Sequence, residues 1–142
     1  MTTEATATAQ TDRHGTVLVT EDEAELREIY RRVLTGAGYR VLLAANGRQA
    51  CRLLQQERIA LVLTDLLMPE MDGAELITWM RREDHRMPVL LISGANAVFK
   101  SDFLAVVRDL GATATLEKPV TSEQLLAAVK RLLPPTALST AA

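Results

Sequence analysis

Acidic, hydroxyl and lysine side chains follow short apolar runs at four places in this 142-residue chain. They are Glu21 with Asp22, Asp65, Ser93 and Lys118. Three carboxylates that meet at one place repel each other unless a cation lies between them. Because the set offers only oxygen ligands, without His or Cys, it favours a hard ion. Mg²⁺ fits best, since it keeps waters and leaves a ligand position for phosphate.

The same residues indicate phosphoryl chemistry. A carboxylate held beside Mg²⁺ can attack phosphorus and form an aspartyl phosphate, while Lys118 and Ser93 stabilise charge on the transferring oxygens. Each residue alone is weak support, because an acid at a strand end is commonly a helix cap. A metal-free cluster of caps and surface ion pairs does not explain why a lysine and a hydroxyl converge on the same edge.

The elements that must position these residues follow from the hydrophobic pattern. Continuous apolar runs predict five strands buried on both faces, at 16–20, 39–44, 59–64, 89–92 and 114–116. Helical periodicity separates them, and its clearest series is Leu26, Ile29, Tyr30, Val33, Leu34 and Ala37. Weaker series predict helices at 46–57, 74–83 and 98–110, and a capping box at Thr121–Gln124 begins the last helix.

Strand and helix alternate five times, which predicts an α/β fold. The expected architecture is (βα)5, a doubly wound, flavodoxin-like parallel sheet of five strands in the order 2-1-3-4-5. Such a sheet places its site outside the carboxyl ends of the strands, at the switch point between strands 1 and 3. The chemistry-bearing residues stand at those ends.

Composition bounds the remaining possibilities. The chain is 48% hydrophobic with a net charge of −2, and it has one cysteine, so a disulfide framework is excluded. We expect one domain at 15–133 between disordered tails at 1–14 and 134–142. The lack of concentrated basic charge predicts no DNA binding. The lack of a long apolar run or signal peptide predicts no membrane insertion and a cytoplasmic protein.

Four stretches together resemble the signatures of the two-component response-regulator receiver domain: 17–23, 61–73, 91–93 and the pair 118–119. The resemblance covers nearly all of 15–133. It implies that Asp65 accepts a phosphoryl group from a histidine kinase or a histidine phosphotransfer protein. A receiver is a phosphoacceptor that assists its own phosphorylation and dephosphorylation, and is not an enzyme in the usual sense.

The resemblance also implies a role for each site residue. Asp22 and Asp65 would bind Mg²⁺ directly, the backbone carbonyl of Leu67 would be the third protein ligand, and Glu21 would act through a bound water. Ser93 would hydrogen-bond the phosphoryl group, and Lys118 would pair with it.

Departures from the family pattern bear on switching and on lifetime. Thr115 stands where receivers often have an aromatic residue whose rotation tracks phosphorylation, so we expect the segment 94–103 to move instead. Leu67 and Ala95 occupy positions that in relatives orient the hydrolytic water. Both are apolar here, which predicts slow dephosphorylation.

The output is expected to run through protein contacts. Only nine residues follow Leu133, so we expect a single-domain, CheY-like receiver that signals to a downstream target protein, with a homodimer left open. One alternative is an unphosphorylated pseudo-receiver that only binds partners. Another is a flavodoxin-like binder of nucleotide or flavin, which would need a Gly-rich or hydroxyl-rich phosphate cradle where 20–24 is acidic.

Overall fold

The computed structural model describes residues 14–94 and 111–134, together with residues 105, 108 and 109. Its elements are β1 Thr16–Thr20, α1 Ala24–Gly36, β2 Arg40–Ala44, α2 Gly47–Gln56, β3 Leu61–Asp65, α3 Gly73–Arg82, β4 Val89–Ser93, β5 Ala114–Glu117 and α4 Ser122–Leu132. Apart from Gly94 and residues 105, 108 and 109, the predicted helix at 98–110 and the predicted moving segment at 94–103 lie outside the described residues. So do the predicted tails, except for His14 and Pro134.

The five strands form one parallel sheet in the order β2-β1-β3-β4-β5, which confirms the predicted fold class and strand order. In the register, Thr20 lies opposite Thr64, Asp65 opposite Ile92, and Ser93 opposite Glu117. The carboxyl ends of β1, β3, β4 and β5 therefore reach the same edge of the sheet.

Burial differs between the central and the edge strands. Every residue of β1, β3 and β4 is buried, as expected for strands covered on both faces. The prediction is wrong for β2 and β5, which are mostly half-buried, and Leu43 of β2 is 36% exposed. Each of these strands has a neighbour on one side only, so solvent reaches its free side.

Alternate side chains of the sheet enter two separate cores, one on each face. Leu18, Val62 and Leu91 pack with residues of α2 and α3, such as Ala50 and Leu76. On the other face, Val17, Val19 and Leu63 of the sheet pack with residues of the two covering helices. These include Tyr30 and Leu34 of α1, and Leu125 and Val129 of α4. The sheet is thus covered on both faces, as a doubly wound fold requires.

The apolar stripe of α1 is narrower than the periodicity predicts. Tyr30 and Leu34 are buried, whereas Ile29 is 49% exposed. Successive residues of a helix are turned by about 100°, and Ile29, next to Tyr30, falls on the side that faces away from the sheet. The capping box of α4 is confirmed: Thr121 Oγ1 accepts from the Gln124 amide at 3.0 Å, and Gln124 Oε1 accepts from the Thr121 amide at 3.0 Å.

Gly38 and His14 lie together just beyond the C-terminal end of α1. Gly38 has φ +98°, and a Cβ there would lie 2.4 Å from the ring of His14, so a side chain is excluded both by conformation and by space. His14, the last residue of the predicted tail at 1–14, is half-buried with its ring edge-on to Tyr39. Among the described residues, no helix is long and apolar enough to cross a membrane.

Candidate functional site

Glu21 is the most buried acid of the site. Its amide donates to the carbonyl of Ala44 at 3.1 Å, which keeps the residue next to the sheet just beyond β1. Only 1% of Glu21 is exposed. The Glu23 amide donates to Glu21 Oε2 at 3.1 Å, whereas Oε1 is buried and accepts no hydrogen bond from the part of the chain that the structure describes. This oxygen therefore keeps hydrogen-bonding capacity for a further partner, besides its ion pair with Lys118.

Two further carboxylates lie beside it. Asp65 is the last residue of β3 and is 6% exposed, while Asp22 is exposed at the edge of the site. One oxygen from each of Glu21, Asp22 and Asp65 lies within 4.8 Å of the others. The predicted three-carboxylate cluster therefore forms at the switch point between β1 and β3.

Lys118 joins the cluster from the other side. The Lys118 amide donates to the carbonyl of Ser93 at 2.8 Å, which continues the pairing of β4 and β5 by one residue. Its ammonium donates to Asp65 Oδ2 at 3.1 Å and lies 3.4 Å from Glu21 Oε1. The peptide bond between Lys118 and Pro119 is cis. Ser93 is 2% exposed and lies next to Lys118.

Burial dominates the electrostatics of the site. Burial raises the pKa of Glu21 to about 7, and the nearby Asp65 adds to the rise, while the Glu23 amide and Lys118 oppose it. Burial also raises the pKa of Asp65, against the opposing effect of Lys118. For Lys118, burial disfavours the charge, but its hydrogen bond to Asp65 and the nearby carboxylates outweigh burial and raise its pKa.

The donor set fits a divalent cation. Three carboxylates lie together, two of them, Glu21 and Asp65, contact the ammonium of Lys118, and Glu21 Oε1 accepts no hydrogen bond among the described residues. The candidate ligand atoms are all carboxylate oxygens, and Mg²⁺ prefers oxygen ligands. The acidic residues after β1 also argue against the flavodoxin-like alternative, because they would repel a phosphate group that lacked a bridging cation.

Sequence reasoning missed three neighbours of the site. Arg27 Nη1 donates to the Glu21 carbonyl at 2.8 Å and so ties the first turns of α1 to the acidic loop. Tyr30 is buried, and burial together with the charge of Glu21 raises its pKa to about 12. The sequence pattern treats Tyr30 as one more apolar position, because periodicity does not tell a phenol from a leucine.

Gly73 is the third. It begins α3, and a Cβ at this position would lie 2.6 Å from the backbone oxygen of Asp65. Its amide donates to the Leu66 carbonyl at 2.7 Å. The first turn of α3 thus packs directly on the backbone of the strand-end aspartate, which only glycine permits. The position of Gly73 at the end of the motif 61–73 was the sequence signal from which this contact could have been predicted.

Leu67 lies two residues beyond Asp65 and is 66% exposed, between the buried Leu66 and Met68. The exposed side chain lies in the loop that leaves the site. Its carbonyl stays a predicted metal ligand. The structure thus brings Glu21, Asp22, Asp65 and Lys118 together, with Ser93 joined through its backbone.

Known proteins share this arrangement of sequence and fold. A family model described as the response regulator receiver domain matches residues 17–130. Response regulator MprA of Mycolicibacterium vanbaalenii is 37% identical over 117 residues, which are 82% of this chain and 49% of that protein. Sporulation initiation phosphotransferase F of Bacillus subtilis is 32% identical over 118 residues, 83% of this chain and 93% of that protein.

Solved structures agree. The chemotaxis protein CheY4 of Vibrio cholerae superposes with a TM-score of 0.75 at 30% identity, over 84% of this chain and 98% of that chain. The chain spans about half the length of the MprA relatives that it matches. The match covers both cores and every residue of the acidic cluster, and the chain belongs to the response regulator receiver domain family of two-component systems.

Proposed function

We propose that this protein accepts a phosphoryl group on Asp65 from a histidine kinase or a histidine phosphotransfer protein, in a reaction that requires Mg²⁺. The observation that carries the proposal is the position of Asp65, which is hydrogen-bonded to Lys118 at 3.1 Å and lies within 4.8 Å of two further carboxylates. A buried carboxylate among these groups has both a cation partner and a place for a metal.

The chemistry is a substitution at phosphorus. A carboxylate oxygen of Asp65 attacks the phosphorus of a phosphohistidine, the phosphorus–nitrogen bond breaks, and the imidazole leaves with the electron pair. Lys118 faces the oxygens that gain charge, and the Ser93 hydroxyl donates to one of them. Glu21, Asp22, Asp65 and the Leu67 carbonyl would hold Mg²⁺, which when bound neutralises charge on the carboxylates and the incoming phosphoryl oxygens.

The protein would then signal through contacts with a partner protein. The Bacillus subtilis relative, matched over 93% of its length, is named a phosphotransferase, which supports a place in a phosphorelay. Because this chain spans about half the length of the MprA relatives, the output of the whole protein can only be proposed. We infer a protein-binding output because the site lies at the carboxyl edge of the sheet, where Asp22 is exposed and a partner protein can reach it.

Intact-protein mass spectrometry tests this function. The protein is incubated with acetyl phosphate and Mg²⁺, and we expect a gain of one phosphoryl group that is absent after chelation of the metal. Asp65→Asn should show no gain. Asp84→Asn is the matched control, because Asp84 is exposed with φ 65°, a conformation that asparagine tolerates. No gain in the wild type, or an equal gain in Asp65→Asn, would refute the proposal and leave the pseudo-receiver alternative.

A further inference from the structure

The helices α2 and α3 form a second surface that the phosphoryl chemistry does not use. Three adjoining concavities cross these helices. The first concavity extends from Leu43 to Arg52, and the second is lined by Arg52, Met71 and Trp79. The third shares Met71 and Trp79 with the second and extends to Arg82. We call the continuous strip from Leu43 through Arg52, Met71 and Trp79 to Arg82 the α2–α3 surface.

The floor of this surface is apolar and held in place. Met71 and Trp79 are half-buried. Met71 Sδ lies 3.9 Å from Cys51 Sγ, and a Cβ at Gly47 would lie 2.7 Å from the Met71 side chain. The Trp79 ring stacks on the ring of His85 with centroids 5.3 Å apart and planes at 23°. Both anchors are therefore ordered before any partner arrives, which lowers the entropic cost of binding.

The rim of the surface is basic. The sequence of α2, GRQACRLLQQ, contains two arginines four residues apart and no acid, an arrangement that destabilises a helix by like-charge repulsion. Arg48 has an exposed contact with Glu70 at 3.5 Å. Within 14–94 and 111–134, no ion pair engages Arg52 or Arg82, and both are exposed. Positive charge thus flanks the apolar floor at both ends.

Two of the acids near Arg82, Asp72 and Glu75, cap α3, whereas Glu83 beside Arg82 is exposed. Asp72 Oδ1 accepts from the Glu75 amide at 2.8 Å, and Glu75 Oε1 accepts from the Asp72 amide at 3.1 Å. This capping box directs their carboxylates at the N-terminus of α3, where the helix dipole favours negative charge. The whole chain has a net charge of −2, so the basic rim is a local feature and not a general property of the protein.

We propose that the α2–α3 surface binds an acidic amphipathic helix of a partner protein. Apolar side chains of that helix pack on Met71 and Trp79, and its carboxylates pair with Arg52 and Arg82. Helices commonly bind grooves in this way, through apolar anchors one turn apart. The proposal goes beyond the phosphoryl chemistry and does not depend on it, because the surface exists in the unphosphorylated protein.

Trp79 is the sole tryptophan of the chain, so its fluorescence reports directly on this surface. The probe is a tryptophan-free synthetic peptide with leucines at positions i, i+3, i+4 and i+7 and glutamates on the flanks. A second peptide carries lysine at every glutamate position. The unphosphorylated 142-residue chain is titrated with each, and we expect saturable binding of the glutamate peptide and binding of the lysine peptide about tenfold weaker.

Charge reversal supplies the decisive variant. In Arg52→Glu/Arg82→Glu, we expect the preference to invert, so that the lysine peptide binds more tightly than the glutamate peptide. This result also shows that the variant is folded. Arg58→Glu is the matched control, because Arg58 is exposed and lines a different cavity near Gly15 and Ala60. It should bind both peptides as the wild type does.

Several results would overturn the proposal. Equal binding of the two peptides would mean unspecific apolar contact. No binding of either peptide, with the Trp79 emission of the peptide-free monomer the same in the wild type and the double variant, would mean that the surface is not a docking site. A change of Trp79 emission on dilution without peptide would identify a second copy of the chain as the occupant. No binding of either peptide to the wild type, together with a changed Trp79 emission of the peptide-free Arg52→Glu/Arg82→Glu monomer, would identify an acidic segment of the same chain as the occupant.

Discussion

The ammonium of Lys118 donates a hydrogen bond to Oδ2 of Asp65 at 3.1 Å, across 53 positions of sequence. The contact spans two strand pairings, because Asp65 ends β3 and Lys118 follows β5 with β4 between them. The same ammonium lies 3.4 Å from Glu21 Oε1. One lysine therefore serves two buried carboxylates, and the balance of charge at the site depends on it.

Removal of this lysine should slow phosphorylation. Lys118→Met keeps the length of the side chain without its charge. We expect the rate of phosphoryl transfer from acetyl phosphate to fall on the order of 100-fold, the usual effect of losing one group that stabilises transition-state charge. Quantitative mass spectrometry over time measures the rate. Lys130→Met, at an exposed position of α4, is the control and should react like the wild type. Equal rates in the two variants would show that Lys118 takes no part in phosphoryl transfer.

The contact between Gly73 and the backbone of Asp65 predicts a steric effect on both stability and rate. In Gly73→Ala the new Cβ would lie 2.6 Å from the Asp65 oxygen, so α3 or the strand end must move. We expect a loss of about 1–3 kcal/mol in the free energy of unfolding, and slower phosphorylation. Urea unfolding and the mass assay measure the two effects.

Gly36→Ala is the matched control for that substitution. Gly36 is also a helical glycine, but a Cβ there meets nothing within 4 Å. We expect it to raise the free energy of unfolding by about 0.5 kcal/mol, through helix propensity, without changing the phosphorylation rate. A Gly73→Ala variant as stable and as fast as the wild type would show that α3 adjusts without disturbing Asp65.

The raised pKa of Glu21 predicts how stability depends on pH without metal. Folding raises this pKa from 4.5 to about 7, so between these values the folded protein holds a proton that the unfolded chain has lost. The contribution is fully present below pH 4.5 and is lost as the pH rises through about 7, and the raised pKa of Asp65 acts in the same direction.

Urea unfolding in a chelator at a series of pH values measures this effect. In Glu21→Gln the fall in the free energy of unfolding across the interval should be shallower than in the wild type, by up to about 1.4 kcal/mol per pH unit. Glu83→Gln, an exposed acid just after α3, should keep the wild-type slope. Identical slopes in the wild type and Glu21→Gln would mean that Glu21 stays ionised in the folded protein.

The exposed Leu67 predicts a long-lived phosphorylated form. It lies two residues beyond Asp65 and has no group that could orient a water. We expect Leu67→Asn to speed the loss of the phosphoryl group by several-fold, because an amide can hold the attacking water. The decay of the phosphorylated mass in Mg²⁺ measures it. Ile29→Gln, another exposed apolar residue exchanged for an amide, is the control. Decay of the wild type within seconds would contradict the prediction.

The sequence by itself determined the strand order and the members of the acidic cluster. Apolar runs such as 16–20 mark strands because a strand covered on both faces must be apolar throughout. Since parallel strands all end at one edge, Glu21, Asp65 and Lys118 could be placed together from their positions after those runs. The capping box at Thr121 could likewise be read directly, because it depends only on residues three positions apart.

Tertiary structure alone decided the properties that depend on what covers a residue. Periodicity includes Ile29 in the apolar stripe, but the packing of α1 on the sheet leaves it 49% exposed. The burial that raises the pKa of Glu21, the contact of Gly73 with Asp65, and the alignment of Met71 and Trp79 between two arginines each join separate elements. Local sequence sets the propensity of an element, whereas burial and electrostatic coupling follow from the neighbours that the fold brings to it.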